Sequence, residues 1–111
     1  MTLIHAYQGR GITRRIIIND AAGDAITPGV HDKVRATISR EGETAKLIVD
    51  SDAPTVNGSS LTKGASNTLR LDASDLEFEP GVYTLFLDYF DNADAAEWKC
   101  VEKQVFHLEG T

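Results

Sequence analysis

The sequence predicts an all-β protein, built as an antiparallel β-sandwich of about seven short strands. Several segments alternate apolar and polar residues with a period of two, which is typical of half-buried strands. Turn-forming residues separate these segments, and patterns with helical periodicity are almost absent. The chain has 111 residues, of which 41 % are hydrophobic. This length fits a single domain over residues 1–111 with one hydrophobic core.

Six segments carry the strand signal, and they are GITRRIIIND, DKVRATISREG, TAKLIVD, NTLRLDAS, PGVYTLFLDYFD and EWKCVEKQVFHLEG. Glu41-Gly42-Glu43 separates the second from the third and predicts a hairpin turn. The last segment keeps its alternation over its full length only if a β-bulge interrupts it. We expect Trp98 and Cys100 to share a core-facing side of that strand.

The remaining segments predict loops. DASDLEFEPG contains helix-capping residues, but Pro80-Gly81 ends the pattern after at most one short turn. Ser51–Thr68 is a long irregular stretch rich in turn-forming residues. Tyr83 enters a strand directly after a tight turn, where its hydroxyl can bond back to the preceding backbone. That is the tyrosine corner of immunoglobulin-like sandwiches, although a plain core aromatic residue fits the pattern equally well.

The strand within Pro80–Asp91 has aromatic residues on both faces. Tyr83, Leu85 and Leu87 predict a core face, so Phe86 and Phe90 should point outward. Exposed aromatic residues in a group are typical of a surface that binds a partner. The alternative is that the N-terminal segment Leu3–Tyr7 folds across the two rings and covers them.

The charge distribution is uneven along the chain, whose formal net charge is −6. Residues 1–40 hold six Lys/Arg and three acidic residues, whereas the other 71 residues hold five and 14. An acidic protein is a poor ligand for nucleic acid, so we expect no nucleic-acid partner. The basic N-terminal part, with Arg10, Arg14 and Arg15, fits docking on neighbours of either sign, or it reflects chance and the solvation of strand faces.

Catalytic and metal-binding templates do not match, so we expect a protein that is not an enzyme and needs no cofactor or metal. Cys100 lies in mid-strand and suits the core better than nucleophilic chemistry. His5, His31 and His107 are far apart in sequence and form no metal-ligand motif. The acidic segment Asp88–Glu97 has the composition of a Ca²⁺ site without the required spacing.

The sequence also shows no recognisable targeting signal. The start, MTLIHAYQGRGITRR, has no apolar stretch typical of a signal peptide, and no run is long enough to span a bilayer. A single cysteine fits synthesis in a reducing cytoplasm. We therefore expect no membrane partner.

The combined pattern resembles a family of viral domains. NTLRLDASDLEFEPGVYTLFLDYFD joins an alternating strand, a short acidic bridge, a Pro-Gly-x-Tyr entry and a second alternating strand that ends in Asp. With ITPGVHDKVRATISREGETAKLIVDS before it, this segment resembles small immunoglobulin-like β-sandwich proteins of tailed-bacteriophage virions, namely head-decoration proteins and the N-terminal domain of baseplate upper proteins. The resemblance covers Ile12 to Leu108 and supplies no catalytic residue.

The resemblance implies a structural role in a virion after synthesis in the host cytoplasm. Because no stalk follows Thr111, we expect a free-standing subunit, a capsid decoration (cement) protein present in many copies or as a homo-oligomer. The alternatives are a neck, tail or baseplate component, or an immunoglobulin-like module that binds a host glycan or protein. The expected partner interface comprises Phe86, Phe90, Arg10, Arg14 and Arg15.

Overall fold

A computed structural model of the chain describes residues 3–29, 32–51, 59–64, 66–74, 76–90 and 98–110. Within these ranges the protein is all-β and forms no helix, so no helix there could cross a membrane. The strands are β1 (Leu3–Tyr7), β2 (Ile12–Ile17), β3 (Lys33–Ser39), β4 (Leu47–Asp50), β5 (Ser60–Lys63), β6 (Thr68–Ala73), β7 (Gly81–Phe90) and β8 (Trp98–Glu109). The expected fold class is confirmed, with eight strands.

The strands form two sheets that sandwich one core. The larger sheet has the order β1-β8-β7-β3-β4, and the smaller sheet has the order β2-β6-β5. All pairs are antiparallel except β1 and β8, which are parallel. In immunoglobulin-like sandwiches, strands C, F and G share one sheet and B, E and D share the other. The same arrangement is found here, with β3, β7 and β8 in the larger sheet and β2, β6 and β5 in the smaller sheet.

Two strands were absent from the sequence prediction. β1 is an edge strand that pairs in the plane of the large sheet, so Leu3–Tyr7 does not fold across Phe86 and Phe90. β5 lies inside the stretch Ser51–Thr68 that we expected to be irregular throughout. Its pattern is hard to detect because only Leu61 among its four residues is buried.

The core contains side chains from all eight strands, as alternation along each strand requires. Its hydrophobic members are Ile4, Ala6, Ile16, Ile18, Val34, Ala36, Ile38, Leu47, Val49, Leu61, Leu69, Leu71, Ala73, Leu76, Tyr83, Leu85, Leu87, Phe106 and Leu108. Tyr83 sits at the start of β7 and donates a hydrogen bond from its hydroxyl to the Glu79 carbonyl at 2.5 Å. The side chain is therefore both a core aromatic residue and a tyrosine corner.

The predicted bulge in β8 exists and reverses the expected orientation of Trp98 and Cys100. Leu87 pairs with Glu102 and Asp88 pairs with Cys100, which leaves Val101 as the extra residue. Val101 packs against the core, and the residues before it change face. Trp98 and Cys100 therefore lie on the outer face of the sheet and are exposed, so the prediction that they belong to the core is wrong.

Candidate functional site: the outer face of the large sheet

Three aromatic rings lie on the same outer face of the large sheet. Phe86 and Phe90 alternate with the buried residues of β7 and are half-buried. The bulge in β8 adds Trp98, which pairs with Phe90 at a ring-centroid distance of 5.4 Å and is 37 % exposed. Sequence reasoning missed Trp98 because simple alternation from Phe106 and Leu108 places it inside.

Cationic side chains cover these rings. Lys33 Nζ is 5.8 Å from the centre of the Phe90 ring, and Lys103 Nζ is 5.7 Å from that of Phe86. Because the alkyl stems of lysine pack on apolar surface while the ammonium stays in water, these contacts shield the rings only in part. We call the three rings and their three cations the aromatic–cation patch, which comprises Phe86, Phe90, Trp98, Lys33, Arg35 and Lys103.

Arg35 is the best-fixed cation of the aromatic–cation patch. Its guanidinium carbon lies 4.2 Å from the centre of the Trp98 ring, and its Nε donates to Asp50 Oδ1 at 2.6 Å. The hydrogen bond to Asp50 is the main reason that the pKa of Arg35 is raised above its usual value. A guanidinium held by a carboxylate and stacked on a ring loses little freedom on binding, which favours interface formation.

Asp88 and Cys100 lie opposite each other in the middle of this face. Partial burial raises the pKa of the Asp88 carboxyl, although Arg35 and the Cys100 thiol act in the opposite direction. Partial burial and the neighbouring Asp88 raise the pKa of the Cys100 thiol. The thiolate is the reactive form, so Cys100 is accessible but poorly suited to nucleophilic chemistry.

The three arginines expected at the interface lie elsewhere. Arg10 is exposed at the end of the turn that joins β1 to β2. Arg14 is in phase with the buried Ile16, and Arg15 is exposed on the outer face of the small sheet, opposite Arg70. The structure therefore places Phe86 and Phe90 on the same outer face, four residues apart along β7, but does not bring the arginines to them.

A second cluster lies at the β1 edge of the same sheet, where parallel pairing places His5 beside His107 and Tyr7 beside Glu109. Donor atoms of His5, His107 and Glu109 all lie within 4.8 Å of one another. The expectation that the histidines form no cluster is thus wrong for His5 and His107. The available signal was His107-Leu108-Glu109, in which alternation puts an imidazole and a carboxylate on one face; the contribution of His5 depends on a pairing across the whole chain.

Two expected features fall outside the described residues. Most of the acidic segment Asp88–Glu97, from residue 91 onward, is among them, and so is His31. The comparison with protein-family models gives no match, and no curated protein matches the chain significantly.

Proposed function

We propose that this protein is a non-catalytic docking module whose binding surface is the aromatic–cation patch. The observation that supports this most is the grouping of Phe86, Phe90 and Trp98 with three cations on one sheet face of a protein whose net charge is −6. Aromatic residues and arginine dominate the energetics of protein interfaces, particularly when they cluster near the centre of a patch.

The charge of the patch favours one kind of partner. Among the described residues, its three cations face two carboxylates, Asp50 and Asp88, so this part of the face carries a net positive charge. An apolar surface with an acidic rim on a neighbouring protein subunit would complement it. Closing such an interface would remove the remaining exposed part of each ring from water, which contributes roughly 1 kcal/mol per ring.

The setting we propose is a bacteriophage virion, in which the module is a capsid decoration protein that attaches to neighbouring subunits. The sequence resemblance supports this setting, and a rigid sandwich with one docking face is suited to repeated attachment. A neck, tail or baseplate position would use the same patch. So would a module that binds a host protein or glycan, for which an exposed tryptophan beside carboxylates is a suitable platform.

A double substitution on β7 tests the docking surface. Phe86→Ser with Phe90→Ser should leave the sandwich folded, because both rings are on the outer face. It should abolish co-sedimentation with particles assembled without this protein. Ile17→Ser is the matched control, because Ile17 is 53 % exposed on the outer face of the small sheet. The control should attach like the wild type, and high salt should slow attachment by screening Lys33, Arg35 and Lys103.

The outcomes separate the surface from its setting. If the folded double variant still attaches, the aromatic–cation patch is not the docking surface. If the wild type itself does not attach to particles, the virion setting is wrong. Sedimentation of the purified wild type then tests a second copy as the partner, and self-association that the double variant loses would retain the patch as the docking surface.

A further inference from the structure

We propose that His5, His107 and Glu109 form a binding site for a divalent transition cation, with Zn²⁺ as the expected species. The three residues lie on the outer face of β1 and β8, at the far end of β8 from Trp98. His107 follows Trp98 by nine positions along the strand, one of which is the bulged Val101, so about eight strand steps give a separation of about 27 Å. The proposal is therefore independent of the aromatic–cation patch.

The donor geometry is close to what Zn²⁺ requires. Bonds of about 2.1 Å in a tetrahedral site place the ligand atoms about 3.4 Å apart. His5 Nε2 and Glu109 Oε1 are already 3.1 Å apart, and every donor pair lies within 4.8 Å. Rotation of exposed side chains supplies the remaining movement, since the side chains of His5 and Glu109 are 44 % and 42 % exposed.

The register of the strands brings the three residues together. His5 and His107 are directly paired across the parallel β1–β8 ladder, and their rings stack at 5.2 Å with an interplanar angle of 13°. Because an imidazole lone pair lies in the plane of its ring, the exposed His5 ring must rotate out of this stack for both histidines to bind one cation. Glu109 follows His107 by two residues and therefore projects from the same face. The 3.1 Å contact between His5 and Glu109 involves only one imidazole, whereas a single cation would use lone pairs of all three residues.

The ligand types select the metal. Two imidazoles and one carboxylate suit Zn²⁺ and related transition cations, while Ca²⁺ and Mg²⁺ require sites made of oxygen ligands. Three protein ligands leave one coordination position for water or for a donor from another molecule. Because β1 is an edge strand that pairs with β8 and with no other described strand, the cation would also fasten β1 to β8.

Calorimetric titration of the untagged, chelator-treated protein with ZnCl₂ tests the site. We expect one Zn²⁺ per chain with a Kd below about 10 µM, and no comparable heat with MgCl₂ or CaCl₂. His5→Gln and His107→Gln should each weaken binding by at least about tenfold. Glu102→Gln and Cys100→Ser are the controls, because they change a carboxylate and a thiol of β8 outside the cluster, and both should bind like the wild type.

Hydrogen exchange supplies a second readout. At a free Zn²⁺ concentration ten times the Kd, any opening of β1 that releases the metal should become about tenfold rarer, which slows exchange of the β1 amides accordingly.

The exposed His5 also keeps the test valid if His107→Gln does not fold, because His5→Gln changes a surface side chain. The proposal would be overturned if no binding were detected at 100 µM Zn²⁺, because the free energy of binding would then be weaker than about 5.5 kcal/mol. Binding that survives His5→Gln, or that Cys100→Ser abolishes, would do the same.

Discussion

At the scale of single residues, Tyr83 is the side chain that joins packing to a specific polar contact. It is 1 % exposed, its ring meets Phe78 edge-on at a centroid distance of 5.0 Å, and its hydroxyl reaches the Glu79 carbonyl. Antibody domains place a cysteine two residues after this tyrosine. Here that position is Leu85, which is fully buried, so packing takes the place of the disulfide.

Tyr83→Phe should lower the free energy of unfolding by about 1–2 kcal/mol at pH 7, since it removes one hydrogen bond without leaving a cavity. Urea denaturation measures this change, and Tyr7→Phe is the control because Tyr7 is 44 % exposed. Equal effects of the two substitutions would show that the corner contributes nothing.

The difference in stability between the wild type and Tyr83→Phe should depend on pH. Burial raises the pKa of Tyr83 above its usual value of 10.0. Above pH 10 the unfolded chain therefore releases this proton before the native state does, and the wild type loses stability as the pH rises through that range. Tyr83→Phe has no such proton, so the difference between the two proteins should shrink above pH 10.

At the scale of elements, the edge strand β1 and the bulge in β8 decide what the large sheet displays. β1 supplies Ile4 and Ala6 to the core and His5 and Tyr7 to the outer face. The extra residue Val101 turns Trp98 outward. Local alternation predicts a bulge somewhere in β8 but not its position, and it does not predict the pairing of β1.

Adjacent residues of β1 test how firmly this strand is docked. Ile4→Ala should destabilise the protein by about 2–4 kcal/mol, because Ile4 is fully buried and its removal leaves a cavity. Leu3→Ala should cost less than about 0.5 kcal/mol, because Leu3 is 57 % exposed. Urea denaturation of the two variants gives the comparison. A small effect of Ile4→Ala would mean that β1 is undocked in solution.

At the scale of the whole molecule, the two sheets present different outer surfaces. The large sheet carries the aromatic–cation patch and the histidine cluster, whereas the small sheet carries Arg15 and Arg70 opposite each other between threonines. Net negative charge disfavours self-association in general, so binding depends on the local composition of one face.

Folding of the whole molecule should not require a metal, because the core that joins the sheets consists of hydrophobic side chains. We expect EDTA to change the Tm of protein purified without added metal by less than about 3 °C, which corresponds to less than about 1 kcal/mol. Thermal unfolding followed by circular dichroism measures the shift. A fall of more than about 10 °C would show that a bound cation holds the sandwich together.

The local sequence pattern was enough to predict the strands with the clearest alternation and the hairpin at Glu41-Gly42-Glu43. It also predicted the outward direction of Phe86 and Phe90, and it gave the tyrosine corner as one of two interpretations of Tyr83. These features depend on neighbours in sequence, because alternation and turn chemistry act over a few residues.

The tertiary structure alone decided the rest. Pairing of β1 with β8 brings together residues from opposite ends of the chain and so assembles His5 with His107 and Glu109. The position of the bulge is set by the pairing of β7 with β8, and it moves Trp98 and Cys100 to the outer face. The sandwich also separates Phe86 and Phe90 from Arg14 and Arg15, because β7 and β2 belong to different sheets, while Arg10 lies in the turn that follows the edge strand β1. Each of these outcomes depends on register between distant strands, and alternation within one strand carries no information about its partner.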